Sequence, residues 1–379
     1  MDISEINKKI EETDKEIMSL FDTRLDLTRE ADMDLSRSEI ALRCRKYERE
    51  FLVKLAEESG DKESFRRVLA ATMFSLSHSY KLTDEIYKDS KIARQIKDAI
   101  ENTPKTFPTA ALVACQGVEG AYSQIVTDKI FASADIRYFP TFEGVFKAVE
   151  SGECRYGVLP IENSSYGSVI QVYDLMRDHK FHIIRSAKLQ INHRLMTRPG
   201  VKMEDIREVF SHQQALGQCS GFFKDHPDIK VTVAANTAIA ARMVADSPRT
   251  DIAAISSPDC ADLYGLTVIR DDIQNTDHNF TRFICITKDL NIYPGASRIS
   301  MMMTLSHTPG ALSELLTKFS SLGVNLTKIE SRPIVGRDFE FMFYLDVDAS
   351  VYSDNVLALL SELDAESPEF TFLGSYLEI

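Results

Sequence analysis

Apolar side chains in the first hundred residues recur every three or four positions. Ile3, Ile6, Ile10, Ile17, Leu20 and Phe21 form one stripe, with Arg24 on its continuation and charged residues on the other face. That period predicts an amphipathic helix. Tyr47, Phe51 and Leu55 mark a second helix, broken at Gly60 and Asp61. Phe65, Val68, Leu69, Thr72, Met73, Leu76 and Tyr80 mark a third. No strand pattern interrupts them, so residues 1–100 are expected to be helical throughout. Three helices of this size enclose little core, and pairing with another copy through the long first helix is expected.

Residues 101–109, which include the two-proline stretch NTPKTFPT, read as a linker. Short apolar runs follow at Ala110–Cys115, Ile136–Phe139, Tyr156–Ile161, Glu208–Ser211, Val231–Ala234 and Ile252–Ser256, with helical patterns between them. The alternation predicts parallel strands joined by crossover helices, in one or two lobes, over residues 110–288. A third pattern occupies residues 299–379. Ile299–Leu305 alternates as a strand, and Pro309 opens a helix that stops at Gly323. Strands are expected at Val324–Glu330, Phe339–Val347 and Phe370–Leu377, with a helix over Val351–Leu363. The order βαββαβ predicts a ferredoxin-like plait.

Charge narrows the partners. A formal net charge of −13 over 379 residues argues against nucleic acid or an anionic membrane, both of which need a basic face. No apolar start and no apolar run long enough to span a bilayer is found, so a cytoplasmic chain is expected. The cysteines Cys44, Cys115, Cys154, Cys219, Cys260 and Cys285 are scattered without CxxC spacing and read as reduced thiols. No metal-ligand spacing appears, and neither metal nor cofactor is expected.

Seven ordered motifs then carry a resemblance. They are GVEGAYSQ (Gly117–Gln124), PIENSSYGSV (Pro160–Val169), SHQQALGQC (Ser211–Cys219), NTAIAA (Asn236–Ala241), NFTRF (Asn279–Phe283), GALSELL (Gly310–Leu316) and KIESRP (Lys328–Pro333). The chain resembles the bifunctional chorismate mutase–prephenate dehydratase (P-protein) family. The resemblance implies a multidomain α and α/β architecture. A helical domain of AroQ chorismate-mutase type spans 1–100, a two-lobed, periplasmic-binding-protein-like dehydratase domain spans 110–288, and an ACT regulatory domain of βαββαβ order spans 299–379.

The implied reaction turns prephenate into phenylpyruvate, water and carbon dioxide in L-phenylalanine biosynthesis. It must hold a dianion in one pose and help a ring hydroxyl leave, without over-stabilising the carboxylate whose charge disappears. Uncharged donors suit that task, and the motifs are rich in Ser, Thr, Asn and Gln. The resemblance makes Thr281 the residue most tied to catalysis. Glu162, with burial raising its pKa, is a candidate proton donor, and Ser211 a third catalytic candidate. Ser123, Asn163, Ser164, Gln218, Asn236 and Thr237 are candidate substrate contacts. Backbone N–H groups near Gly120 and Ser164 could add anion-binding capacity. Strand alternation turns Arg282 to the face opposite Thr281, and His212 reads as a titrating or a tautomer-fixed side chain.

In the last segment, Gly310, Ala311, Leu312, Asn325, Glu330, Ser331, Arg332 and Pro333 are the expected phenylalanine site. A helix N-terminus there offers N–H groups to the effector's carboxylate. In the helical domain the resemblance departs. Arg24, Glu48 and Ser77 fall on mutase positions. Asn7, Leu35 and Tyr47 stand where the family has arginine, lysine and arginine, with Arg43, Arg45 or Lys46 as substitutes after a register shift; Lys81 stands where it has glutamine and could still bind an ether oxygen in the pocket. A pocket lacking its cations forfeits transition-state stabilisation. A dehydratase with an inactive mutase relic and a fully bifunctional enzyme, with chorismate as a second substrate, both remain open. So do arogenate in place of prephenate, and a non-catalytic two-lobed binding protein with a sensor domain. A homodimer or homotetramer is expected.

Overall fold

The structure, a computed structural model, describes residues 2–31, 37–58, 60–81, 90–276, 278–334, 336–337 and 340–379. Contacts divide the chain into two compact units, Met1–Lys97 with Met302–Phe370, and Asp98–Met301 with Thr371–Ile379. Among the described residues no helix is long and apolar enough to cross a membrane.

In the first unit, α1 (Ile3–Glu30), α2 (Arg37–Glu58) and α3 (Glu63–Lys81) follow the predicted periods. A fourth helix, α4 (Lys91–Asn102), falls within the stretch expected to be helical although no apolar stripe marked it, and its last turn carries helix into the stretch read as linker. Tyr47, Phe51 and Phe74 pack as an aromatic trio between α2 and α3. The stripe on α1 is open: Ile3 is 75% and Leu20 71% exposed.

The chain proceeds through β1 (Ala110–Gln116), α5 (Tyr122–Ile130), β2 (Ser133–Phe139), α6 (Phe142–Ser151), β3 (Tyr156–Asn163), β4 (Gly167–Ser168), α7 (Ile170–His179) and β5 (His182–Gln190). It continues with β6 (Arg194–Thr197), β7 (Glu208–Ser211), α8 (Gln213–Gln218), α9 (Ser220–Asp225), β8 (Lys230–Val233), α10 (Thr237–Asp246), β9 (Ile252–Ser256), α11 (Asp259–Tyr264), β10 (Thr267–Arg270) and β11 (Phe280–Thr287). The last elements are β12 (Arg298–Thr304), α12 (Ala311–Ser321), β13 (Asn325–Pro333), β14 (Phe341–Asp348), α13 (Asp354–Glu366) and β15 (Phe370–Glu378). From β12 onward the order is βαββαβ, with β13-β14-β12 adjacent in that sequence. Phe339, the expected start of β14, lies outside the described residues.

The second unit holds two sheets. One runs β15-β5-β11-β3-β1-β2; the other runs β10-β6-β9-β7-β8. Both are mixed, which corrects the expectation of parallel strands alone. β1 pairs parallel with β2 and β3, whereas β11 runs antiparallel to β3 and β5. In the second sheet β7 is parallel to β8 and β9, and β6 is antiparallel to β9 and β10. Parallel pairing needs a crossover connection. The chain instead crosses between the sheets from β5 to β6 and again from β10 to β11, and enters β6 and β11 reversed. Strands β5, β6 and β10 escaped prediction because Arg185, Lys188, Arg194 and Arg270 interrupt their apolar patterns. Each sheet has its own apolar core: Val113, Val126, Phe131, Val158 and Ile184 in the first, and Met196, Ala241, Ala254, Leu195, Val209 and Ile255 on the two faces of the second. All six cysteines are buried, and none is in a disulfide.

Candidate active site

Between the two sheets lies a cleft of about 580 Å³. One wall comes from the C-terminal end of β3 and from β11. The other comes from the starts of α8 and α10, which follow β7 and β8. Ligand sites in open α/β sheets gather at such strand ends. Thr281, Asn163, Ser123, Gln218, Asn236 and Thr237 all line the cleft, together with Tyr122, Tyr166 and His193.

Register explains which side chains face it. Thr281 stands opposite Asn163 and Arg282 opposite Glu162; the register then slips so that Phe283 opposes Pro160. That bulge at Ile161 absorbs one residue. Asn163 and Pro160 therefore both reach the cleft, beside Thr281 and Phe283 on the neighbouring strand. Glu162 faces away, 4.0 Å from Arg282, whose side chain is 8% exposed. This corrects the expectation of Glu162 as a proton donor: strand alternation that sends Arg282 behind the sheet sends Glu162 with it.

Ser211 is also corrected. It is fully buried, and its hydroxyl donates to the Ile255 carbonyl at 2.6 Å, tying β7 to β9 behind the cleft wall. Ser164 too lies outside the lining; its hydroxyl donates to His278 O at 3.0 Å and accepts from Phe280 N at 2.9 Å. The backbone donors proposed for anions are engaged internally. Gly120 N donates to Gln124 Oε1 at 2.7 Å, and Ser164 N to Phe280 O at 2.8 Å.

The remaining polar groups form one continuous network. Asn163 Oδ1 accepts from Ser165 N at 2.9 Å and Tyr166 N at 3.0 Å. Asn163 Nδ2 donates to Thr281 Oγ1 and to Asn279 Oδ1, both at 2.9 Å. Gln218 Nε2 donates to the same Asn279 oxygen at 3.4 Å, and Gln218 Oε1 lies 2.7 Å from His193 Nε2. The Tyr122 hydroxyl donates to Asn192 O at 2.7 Å and lies 3.2 Å from His193 Nδ1. Burial holds the His193 pKa below the ordinary histidine value, against the opposing bond to Gln218. Burial lowers that of His212 as well, whose Nδ1 accepts from Gln214 N at the start of α8. Asn236 caps α10, accepting from Ile239 N at 2.7 Å.

Sequence reading missed Tyr122, His193 and Asn279. Asn279 and Tyr122 sat inside quoted motifs; His193 lies in an extended crossing that carries no periodic signal.

In the first unit, the Arg24 guanidinium donates to the Ser77 hydroxyl and to Met73 O, and lies over the Phe74 ring at 5.3 Å. Leu35 and the side chains of Arg43, Arg45 and Lys81 lie outside the described residues. At the effector positions, Gly310 precedes α12 with φ 94°, a left-handed conformation that favours glycine. Asn325 Nδ2 donates to Asp348 Oδ2 at 3.1 Å, and Lys328 Nζ lies 3.9 Å from Glu330 Oε2.

The fold and the site together define a two-lobed α/β protein with an interlobe cleft for a small molecule, walled by uncharged hydrogen-bonding groups. Residues 113–291 match the family model described as prephenate dehydratase. The chain is 34% identical over 310 residues to arogenate dehydratase/prephenate dehydratase 2 of Arabidopsis thaliana, covering 77% of this chain and 80% of that one. It is 31% identical over 297 residues to the bifunctional chorismate mutase/prephenate dehydratase of Escherichia coli (strain K12), covering 77% of each. The crystal structure of a prephenate dehydratase in complex with L-Phe from Arthrobacter aurescens is similar at TM-score 0.64 and 31% identity, over 70% of this chain and 89% of that one. The chain belongs to the prephenate dehydratase family.

Proposed function

We propose that the chain converts prephenate to phenylpyruvate, water and carbon dioxide in L-phenylalanine biosynthesis. The observation that carries the reading is the Asn163–Thr281 pair on the cleft wall. Because Thr281 Oγ1 accepts from Asn163 Nδ2, its own hydrogen is left to point at the substrate. In the proposed reaction that hydroxyl bonds the departing ring oxygen and passes it one proton as the carbon–oxygen bond breaks, regaining a proton from solvent afterwards. The electron pair of the ring-to-carboxylate bond moves into the ring, carbon dioxide leaves, and the ring becomes aromatic. Uncharged donors position the dianion without clamping the carboxylate that must be lost. Purified chain given prephenate should form phenylpyruvate, read by its enol absorbance at high pH; an inert chain would overturn the reading.

We further infer a preference for prephenate over arogenate, because among the described residues the lining contains no Asp or Glu to meet arogenate's ammonium group. With both substrates in one assay, prephenate should be consumed preferentially.

For the other regions the reading is as follows. Residues 299–379 act as an ACT domain that binds L-phenylalanine around Gly310–Leu312, Asn325 and Glu330–Pro333, and lowers activity by favouring one of two states. The left-handed Gly310 ahead of α12 supports this by opening the helix N-terminus to a ligand. Activity that stays flat across millimolar phenylalanine would argue against it. Residues 1–100 derive from a chorismate mutase without brisk mutase activity. Arg24 is engaged with Ser77, and Tyr47, where a cation is expected, packs in an aromatic trio. Rapid consumption of chorismate by the full chain would restore the bifunctional alternative. The open stripe on α1 suits contact with a second copy, and light scattering of an Ile10→Glu variant should report a smaller assembly.

A further inference from the structure

The polarity of the cleft network can be derived one amide at a time. Backbone N–H groups of Ser165 and Tyr166 both point at Asn163 Oδ1, so the other end of that carboxamide is NH2. Asn279 must then present oxygen to it; turned around, two NH2 groups would oppose each other. This orientation is kept although it leaves Asn279 Nδ2 buried without a hydrogen-bond partner among the described residues. With Asn279 Oδ1 fixed as acceptor, Gln218 turns its NH2 toward it and its oxygen toward His193. An oxygen 2.7 Å from His193 Nε2 requires a hydrogen on that nitrogen. The buried ring is neutral, so Nδ1 is bare and can only accept from the Tyr122 hydroxyl, whose single hydrogen it then shares with Asn192 O.

We propose that His193 is a positioning residue of the reaction: its Nε2–H holds the Gln218 carboxamide so that the amide's second N–H, like the Thr281 hydroxyl, is presented to the substrate. The network then offers hydrogens from both of these groups to a dianion with a departing hydroxyl. The inference rests on the dehydratase reading, and goes beyond it by adding a cleft-wall residue that acts through Gln218. His193 is 2% exposed; its backbone N–H donates to Gln274 Oε1, and its two ring nitrogens meet Gln218 and Tyr122.

The test compares His193→Leu, which removes the donor, with His193→Gln, whose NH2 can replace Nε2–H. Wild-type enzyme on prephenate is the control, and circular dichroism checks the fold. His193→Leu should lose about 10²-fold in kcat/KM, the range for a misdirected donor at a reacting site. His193→Gln should recover most of that loss. A group needed only for packing would make the two variants equally poor, which would overturn the proposal. So would a His193→Leu enzyme as active as wild type. If His193→Leu fails to fold, 15N spectra of labelled wild-type enzyme decide alone. A hydrogen on Nε2 supports the proposal and a hydrogen on Nδ1 overturns it. A wild-type chain inert on prephenate would overturn the dehydratase reading itself, and this inference with it.

Discussion

The Tyr166 hydroxyl donates to the Gln214 carbonyl at 3.3 Å, joining the loop after β3 to helix α8 across the cleft. The far wall must leave room for the ring, and Gly217 does so: a Cβ at that position would collide with the Tyr166 hydroxyl. Gly217→Ala should therefore push the ring off α8 and loosen one side of the cleft. Tyr166→Phe should lose only the hydrogen bond, worth about 1 kcal/mol or somewhat under tenfold. Steady-state kinetics on prephenate should show the alanine variant as the poorer of the two, mainly in kcat/KM.

Thr281 accepts one hydrogen bond from Asn163 and retains one hydrogen to give. Thr281→Ala removes that hydrogen while leaving a small buried side chain, so the fold should persist. The expected loss in kcat is on the order of 10²-fold or more, as for a positioned proton donor. Thr281→Ser keeps the hydroxyl and should retain much of the rate, at a cost from the freer rotamer. Equal rates for Thr281→Ala and wild type in a phenylpyruvate assay would remove the hydroxyl from the mechanism.

These two residues also mark what the sequence made legible. Thr281 and Asn163 lie in short motifs, and pairing β11 with β3 brings them together. Glu162 was misread because it adjoins Asn163 in the motif, and the pairing with Arg282 that turns it away from the cleft is invisible in the order PIEN. Ser211 was misread because a strand-end serine looks the same in sequence whether it faces ligand or the Ile255 carbonyl. The link from Gln218 to His193 crosses from helix α8 to an extended segment between lobes, and neither carries a periodic signal that pairs them. Periodicity delivered the helices, but not the reversed strands, which depend on connections between sheets.

Glu208 gives a pH signature independent of catalysis. Hydrogen bonds from Lys230, Thr232 and Arg249 outweigh desolvation and hold its pKa down to about 2. A depressed folded-state pKa contributes stability above the unfolded value, near 4.3, and loses it as pH falls toward the folded one. Glu208→Gln should therefore unfold at lower temperature than wild type at pH 7. The gap should narrow as pH is lowered from about 4.5 toward 2. A gap that stays constant across that window would show that packing, not charge, sets the effect.

Lys318 on α12 is 1% exposed and lies 2.8 Å from Glu362 on α13, with Glu366 also in contact. Desolvation alone would lower its pKa, but the two carboxylates outweigh it and the pKa is raised. The pairing thus contributes below the unfolded lysine value, near 10.4, and is lost as pH rises through the folded one. Removing one partner of a buried pair strands the other, at a cost of roughly 3–5 kcal/mol. Lys318→Met should therefore be strongly destabilised in denaturant unfolding, because buried Glu362 and its neighbour Glu366 lose the lysine they share. Adding Glu362→Leu to that variant should recover most of the loss, since two apolar side chains of similar volume can replace a buried pair at little cost. If the double variant is as unstable as the single one, the destabilisation comes from disrupted helix packing and not from a stranded charge.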